Sequence, residues 1–209
     1  MGTSIDIRGE LYRYYDGEPQ RLREHVQRVC TLALELGKSH DLPEVEVETA
    51  ALGHDLFRAR SNDFLCRQAS HYGIKRSDWD AAPILYHGPL AAAYLYHEHG
   101  YTQADVLLAI ACHTNLSRNS AMNPVAQVLF IADKIEPGKP KGYNDEIIQL
   151  AKRCLSKAAA ELIRYIIAHI QQNESYKVPQ DLREALEVLI LRSSAENNWQ
   201  PAKSRCFMT

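Results

Sequence analysis

The chain has 209 residues and a mass of 23.7 kDa, with 45% hydrophobic and 24% charged residues. That length buries a core without disulfides or a structural metal, and the composition excludes disordered and fibrous classes. The balance of 24 Lys+Arg against 26 Asp+Glu, a formal net charge of −2, excludes the global basic field of a nucleic-acid binder, though it leaves room for a local basic pocket. One count stands out. There are nine histidines, and histidine is both the commonest metal ligand and the side chain that titrates nearest neutrality.

Met1 to Glu10 contains no basic stretch followed by an apolar run, so no signal peptide is expected. No apolar run approaches the roughly 20 residues of a membrane helix. The expectation is a soluble, cytoplasmic protein. Cys30, Cys66, Cys112, Cys154 and Cys206 are scattered, odd in number and never spaced as CxxC. Free thiols are therefore expected, with neither a disulfide framework nor a zinc ribbon.

Residues 1–19 are read as an N-terminal segment. The first strong helix is predicted over Gln20–Ser39, where Leu22, Val26, Val29, Leu32, Ala33 and Leu36 form one apolar face with His25 beside it. A second helix is predicted with Pro43 in its first turn, carrying Val47, Ala50, Ala51 and Leu52 and then His54-Asp55 near its end. A third follows the polar turn Arg60-Ser61-Asn62 and ends at Gly73. After Ser77-Asp78-Trp79-Asp80, the stretch Pro83 to Pro89 leads irregularly into a helix with Ala91 to Tyr96 in its body.

Thr102 and Asp105 resemble a capping box for a helix over Ala104–His113. Asn123-Pro124 places an N-cap and an N1 proline before a helix with Ala126, Val128, Leu129, Ile131 and Asp133. Pro137-Gly138-Lys139-Pro140 stops it. One long amphipathic helix from about Asp145 to Gln172 and a shorter one over Gln180–Leu191 complete the core, and 193–209 reads as a loose polar tail. No alternating strand pattern is found, so 20–192 reads as a single all-α domain.

His25, His54, Asp55, His87, His113 and Asp133 are ligand-type side chains in or at the end of helical segments. Taken singly, a histidine beside an apolar face is more often a hydrogen-bonded core residue, and an aspartate more often a cap. Together they weigh differently. Asp55 follows the apolar run Ala50-Ala51-Leu52-Gly53, where an unpaired carboxylate suffers a desolvation cost that a cation removes. Helices meeting in a bundle core can build such sites, and a His/carboxylate set without cysteine suits iron, manganese or zinc.

The order His25, His54-Asp55, His87, His113, Asp133 resembles the HD-domain metal-dependent phosphohydrolases. The strings Arg23-Glu24-His25-Val26-Gln27-Arg28-Val29, Leu85-Tyr86-His87-Gly88-Pro89-Leu90-Ala91-Ala92, Ala109-Ile110-Ala111-Cys112-His113-Thr114 and Ile131-Ala132-Asp133-Lys134-Ile135-Glu136-Pro137-Gly138 are similar to the bacterial YqeK subfamily of symmetrical diadenosine tetraphosphate hydrolases. The resemblance spans about Leu22 to Leu191. It implies an all-α HD-domain helical bundle with a C-terminal helical extension and two divalent or trivalent metal ions, iron first, with manganese and zinc as alternatives. His25, His54 and Asp133 would hold one metal and His87 and His113 the other, with Asp55 bridging. The implied reaction is cleavage of diadenosine tetraphosphate to two ADP by a metal-bound hydroxide.

Three departures from the subfamily pattern bear on substrate handling. Arg58 stands three positions after Asp55, where lysine is usual. The segment Thr114-Asn115-Leu116-Ser117-Arg118-Asn119 lacks the usual glycine but keeps an arginine, Arg118. Lys134 stands where an aromatic residue is frequent. Arg58, Arg118 and Lys134 are accordingly expected to stabilise phosphoryl charge, and Lys139 and Lys141 are equally readable as channel lining or as solvated loop. A small-molecule nucleotide is the expected partner, without nucleic acid or membrane, and a homodimer is compatible with the sequence. Turnover of another nucleotide or alarmone, or metal and nucleotide binding without turnover, are the competing readings.

His40, His71, His97, His99 and His169 have no ligand-like setting, and His97 and His99, two apart, do not share a helical face. Tyr12, Tyr14 and Tyr15 could stack on an adenine, but tyrosines packing a helix against a bundle are commoner. Trp79 reads as core or lid.

Overall fold

The computed structural model describes residues 6–74, 82–139, 144–172 and 177–198. Within them the predicted all-α class is observed, with no strand. The helices are α1 (Arg8–Tyr14), α2 (Gln20–Ser39), α3 (Glu44–Gly53), α4 (Asn62–His71), α5 (His87–His99), α6 (Ala104–Cys112), α7 (Pro124–Ile135), α8 (Asn144–Arg153), α9 (Leu155–Gln171) and α10 (Gln180–Asn198). Short 3₁₀ turns precede α2, α5 and α7.

Helix α7 is the centre of the bundle. It packs against α2, α3, α6, α8 and α9, and every residue from Val125 to Ile135 except Lys134 is buried. A helix apolar on all sides has to be enclosed. Burying Leu129, Phe130 or Ile131 contributes about 1.5–3 kcal/mol each relative to exposure. Asn123 starts α7 as expected. Its side-chain oxygen accepts from the Val125 and Ala126 backbone N–H groups at 2.9 and 3.2 Å, while Nδ2 donates to the Asp105 carbonyl at 2.8 Å, tying the starts of α6 and α7 together.

Three expectations change. The long helix expected from Asp145 to Gln172 is two, because Cys154 adopts an extended backbone (φ −157°, ψ 100°). The break lets α8 lie on α2 while α9 lies on α7 and α10. Thr102 does not cap α6: the N-cap is Gln103, without a side-chain cap bond, and Asp105 faces the Asn123 amide instead. Helix α10 runs past Leu191 to Asn198, where Ser193 and Ser194 donate back to the Ile190 carbonyl. The N-terminal segment holds a helix of its own. Ile7, Leu11 and Tyr15 are buried, and the Tyr15 hydroxyl donates to the Leu52 carbonyl at 2.7 Å, while Tyr12 and Tyr14 bond to Glu48 and to the Leu56 carbonyl. Trp79, Lys141 and 199–209 lie outside the described residues.

Candidate metal centre

Three of the proposed ligand histidines share one local geometry. His54, His87 and His113 each follow a helical turn whose carbonyl three residues back accepts their Nδ1–H: Ala51 at 2.7 Å, Ile84, and Ile110 at 2.8 Å. A carbonyl only accepts, so each Nδ1 carries a proton and Nε2 is the ring atom left to face a cation. His25 is held differently. Its Nδ1 lies 3.1 Å from a carboxylate oxygen of Glu136.

The Nε2 atoms converge. Those of His87 and His113 are 2.9 Å apart and those of His25 and His54 3.4 Å apart. Two opposed lone pairs at these distances repel unless a proton or a cation lies between them. Among the described residues the donor atoms form two groups, His25–His54–Asp133 and Asp55–His87–His113, each with its donors within 4.8 Å of one another. Asp55 faces both. Its Oδ2 is 3.5 Å from His25 Nε2 and from His54 Nε2, and its Oδ1 is 3.1 Å from His87 Nε2 and 3.6 Å from His113 Nε2. Such a set of imidazoles and carboxylates, nearly all buried, fits a pair of cations.

Electrostatics follow from the burial. Burial pushes the His113 imidazolium pKa down to about 4 and that of His54 down as well. Burial alone would raise the Asp55 carboxyl, but His54, His113 and His87 outweigh it and hold it well below the usual range. For Asp133 burial is likewise outweighed by Lys134 and His25. Burial opposes charge on His25 too, yet Asp133 and Glu136 raise its pKa.

Gly88 makes the close approach of α5 to α6 possible. A Cβ there would stand 2.9 Å from the Ile110 carbonyl oxygen and 3.0 Å from the His113 ring.

The centre opens into a cleft of about 630 Å³. Arg58, Lys134 and Lys139 line it, with Leu22, Ile84 and Leu85 as apolar wall. Lys134 Nζ donates to Asp133 Oδ2 at 2.7 Å, and Lys139 Nζ lies 3.8 Å from Asp133 Oδ1. Arg118 is not brought there. Buried Leu116 and the Ser117–Ser120 hydrogen bonds, one of 2.7 Å from the Ser117 N–H, turn its loop so that Arg118 is exposed away from the lining. His40, His71, His97, His99 and His169 belong to neither donor group. Sequence reasoning missed Glu136 and Arg28, although each lies three residues after a proposed ligand, Arg28 on the same face of α2 as His25 and Glu136 just past the end of α7.

An all-α bundle that gathers four imidazoles and two carboxylates beneath a cleft with arginine and lysine in its lining has the donors to hold divalent metal. The chain belongs to the HD domain family, whose model matches residues 22–138. It is an HD-domain hydrolase homologous to two proteins named symmetrical bis(5'-nucleosyl)-tetraphosphatase. The Staphylococcus aureus protein is 27% identical over 75% of this chain and 80% of its own length, and the Bacillus subtilis protein is 26% identical over 74% and 82%. In fold, the chain is similar to the crystal structure of a predicted HD superfamily hydrolase from Clostridium acetobutylicum, with a TM-score of 0.80, 22% identity, and coverage of 88% of this chain and 97% of that one.

Proposed function

We propose that this hydrolase splits diadenosine tetraphosphate symmetrically into two ADP, using two cations, iron foremost. His25, His54 and Asp133 hold one, His87 and His113 the other, and Asp55 is shared. The division of the Asp55 carboxylate between the two histidine pairs is the observation that supports this reading most directly. When bound, the cations supply Lewis acidity for attack of water on phosphorus and charge that offsets the polyphosphate. Arg58, Lys134 and Lys139 extend that positive charge along the cleft and stabilise the phosphoryl oxygens. Leu22, Ile84 and Leu85 offer the apolar surface that a nucleobase needs. A free nucleotide substrate supports the cytoplasm as compartment, in keeping with the absence of a helix long and apolar enough to cross a membrane among the described residues.

Product analysis with metal-loaded protein on a panel of dinucleoside polyphosphates tests the reading. ADP is expected as the sole product from diadenosine tetraphosphate. AMP plus ATP would sink symmetrical cleavage, and turnover of a guanosine-type alarmone in its place would favour the competing substrate.

A further inference from the structure

The four ligand histidines are not supported alike: three donate Nδ1–H to a neutral carbonyl, whereas His25 faces a carboxylate. That carboxylate is built in. Glu136 is 2% exposed, and a buried carboxylate persists only when its oxygens are satisfied. Arg28 Nε donates to Oε2 at 2.5 Å and the Arg28 guanidinium also reaches Oε1 at 3.3 Å. The Gly138 backbone N–H donates to Oε2. A Cβ on Gly138 would run into the Arg28 guanidinium, so this residue leaves the space in which the pair forms. His25 and Arg28 lie one turn apart on α2, as do Asp133 at the end of α7 and Glu136 just past it, so the two pairs meet across one helix interface.

We propose that Glu136, fixed by Arg28, is a positioning residue that makes the two cation positions unequal, so that the His25–His54–Asp133 group takes its cation more tightly than the His87–His113 group. A carboxylate accepting Nδ1–H orients the ring and raises the basicity of Nε2 more than a carbonyl does. The inference rests on the two-cation reading above and is independent of which nucleotide is cleaved.

Titration of metal-free protein with Co²⁺, followed by calorimetry and by the visible spectrum of the bound ion, tests it. Wild type is expected to bind in two steps of different affinity. Glu136→Gln, which keeps shape and an acceptor but removes the charge, should weaken the tighter step by about 10- to 100-fold and leave the weaker step unchanged. His113→Ala should remove the weaker step and spare the tighter, which assigns the steps. Arg28→Ala, at a side chain 34% exposed, should weaken the tighter step in the same way, and Arg28→Lys should restore part of it. Should Glu136→Gln fail to fold, the Arg28 pair carries the test. Unchanged affinities in these variants, or equal weakening of both steps, would overturn the inference alone. Wild type that binds no Co²⁺ would overturn the metal reading and this inference with it.

Discussion

Gly88→Ala sets two effects of known size against each other. Gly88 is the second residue of α5. Helix propensity alone makes alanine better there by up to about 1 kcal/mol. Against this, the added Cβ would stand 2.9 Å from the Ile110 carbonyl oxygen, a backbone atom that cannot swing aside, and overpacking of this kind costs about 1–3 kcal/mol. Set against the full propensity gain, the collision should win by up to about 2 kcal/mol, a fall in Tm of up to about 8 °C for a chain of this length. The same carbonyl accepts His113 Nδ1–H at 2.8 Å, so any shift also moves His113 away from His87. Calorimetry of the metal-free protein and elemental analysis of the loaded protein read the two consequences. The expected result is a lower Tm together with loss of the cation held by His87 and His113. An unchanged or higher Tm with full cation content would show that α5 and α6 are not packed as argued.

Asn123→Ala should cost about 1–2 kcal/mol in urea unfolding, since it removes the cap of α7 and the side-chain bond that ties it to the Asp105 carbonyl, while cation content stays at the wild-type value. Arg58→Ala should lower kcat/KM by roughly 10- to 100-fold, the loss expected for one charge-assisted contact to phosphate. Arg118→Ala should leave kcat/KM unchanged, and equal losses at the two arginines would refute the placement of Arg118 outside the cleft. Burial pushes the Cys30 thiol up to about 11, so very little thiolate forms at neutral pH. Peptide mapping after brief alkylation of folded protein should therefore find exposed Cys66 labelled and Cys30 protected, and early labelling of Cys30 would contradict its burial.

The six residues that converge stand out in the sequence through their order and local strings taken together, since each alone carries a weak signal, and through the apolar run before Asp55, where an unpaired carboxylate is costly. Helices α2 and α7 were legible for a different reason: α2 has a clean apolar stripe and α7 an Asn-Pro start. The break at Cys154 was not legible, since neither glycine nor proline marks it and only packing of α8 and α9 on different neighbours requires it. Helix α1 is short, and Ile7, the residue before it, provides no side-chain cap, so it leaves a weak local pattern. Arg118 falls outside the lining of the cleft because of the turn that Ser117 and Ser120 impose, which its distance from His113 along the chain does not show. Glu136 is not legible as a partner of the site, since it lies just past the end of α7, where helical spacing no longer fixes its side chain. Its role depends on a partner, His25, that is 111 residues away in the chain.

The most direct test of the centre is the cation content of protein purified without oxygen, measured for wild type and for Asp55→Ala. Two cations per chain are expected in wild type, with Asp55→Ala losing both cation content and hydrolysis because neither histidine pair keeps its shared carboxylate. Wild type that is active without metal, or Asp55→Ala that keeps two cations and full activity, would contradict the bridging role of Asp55.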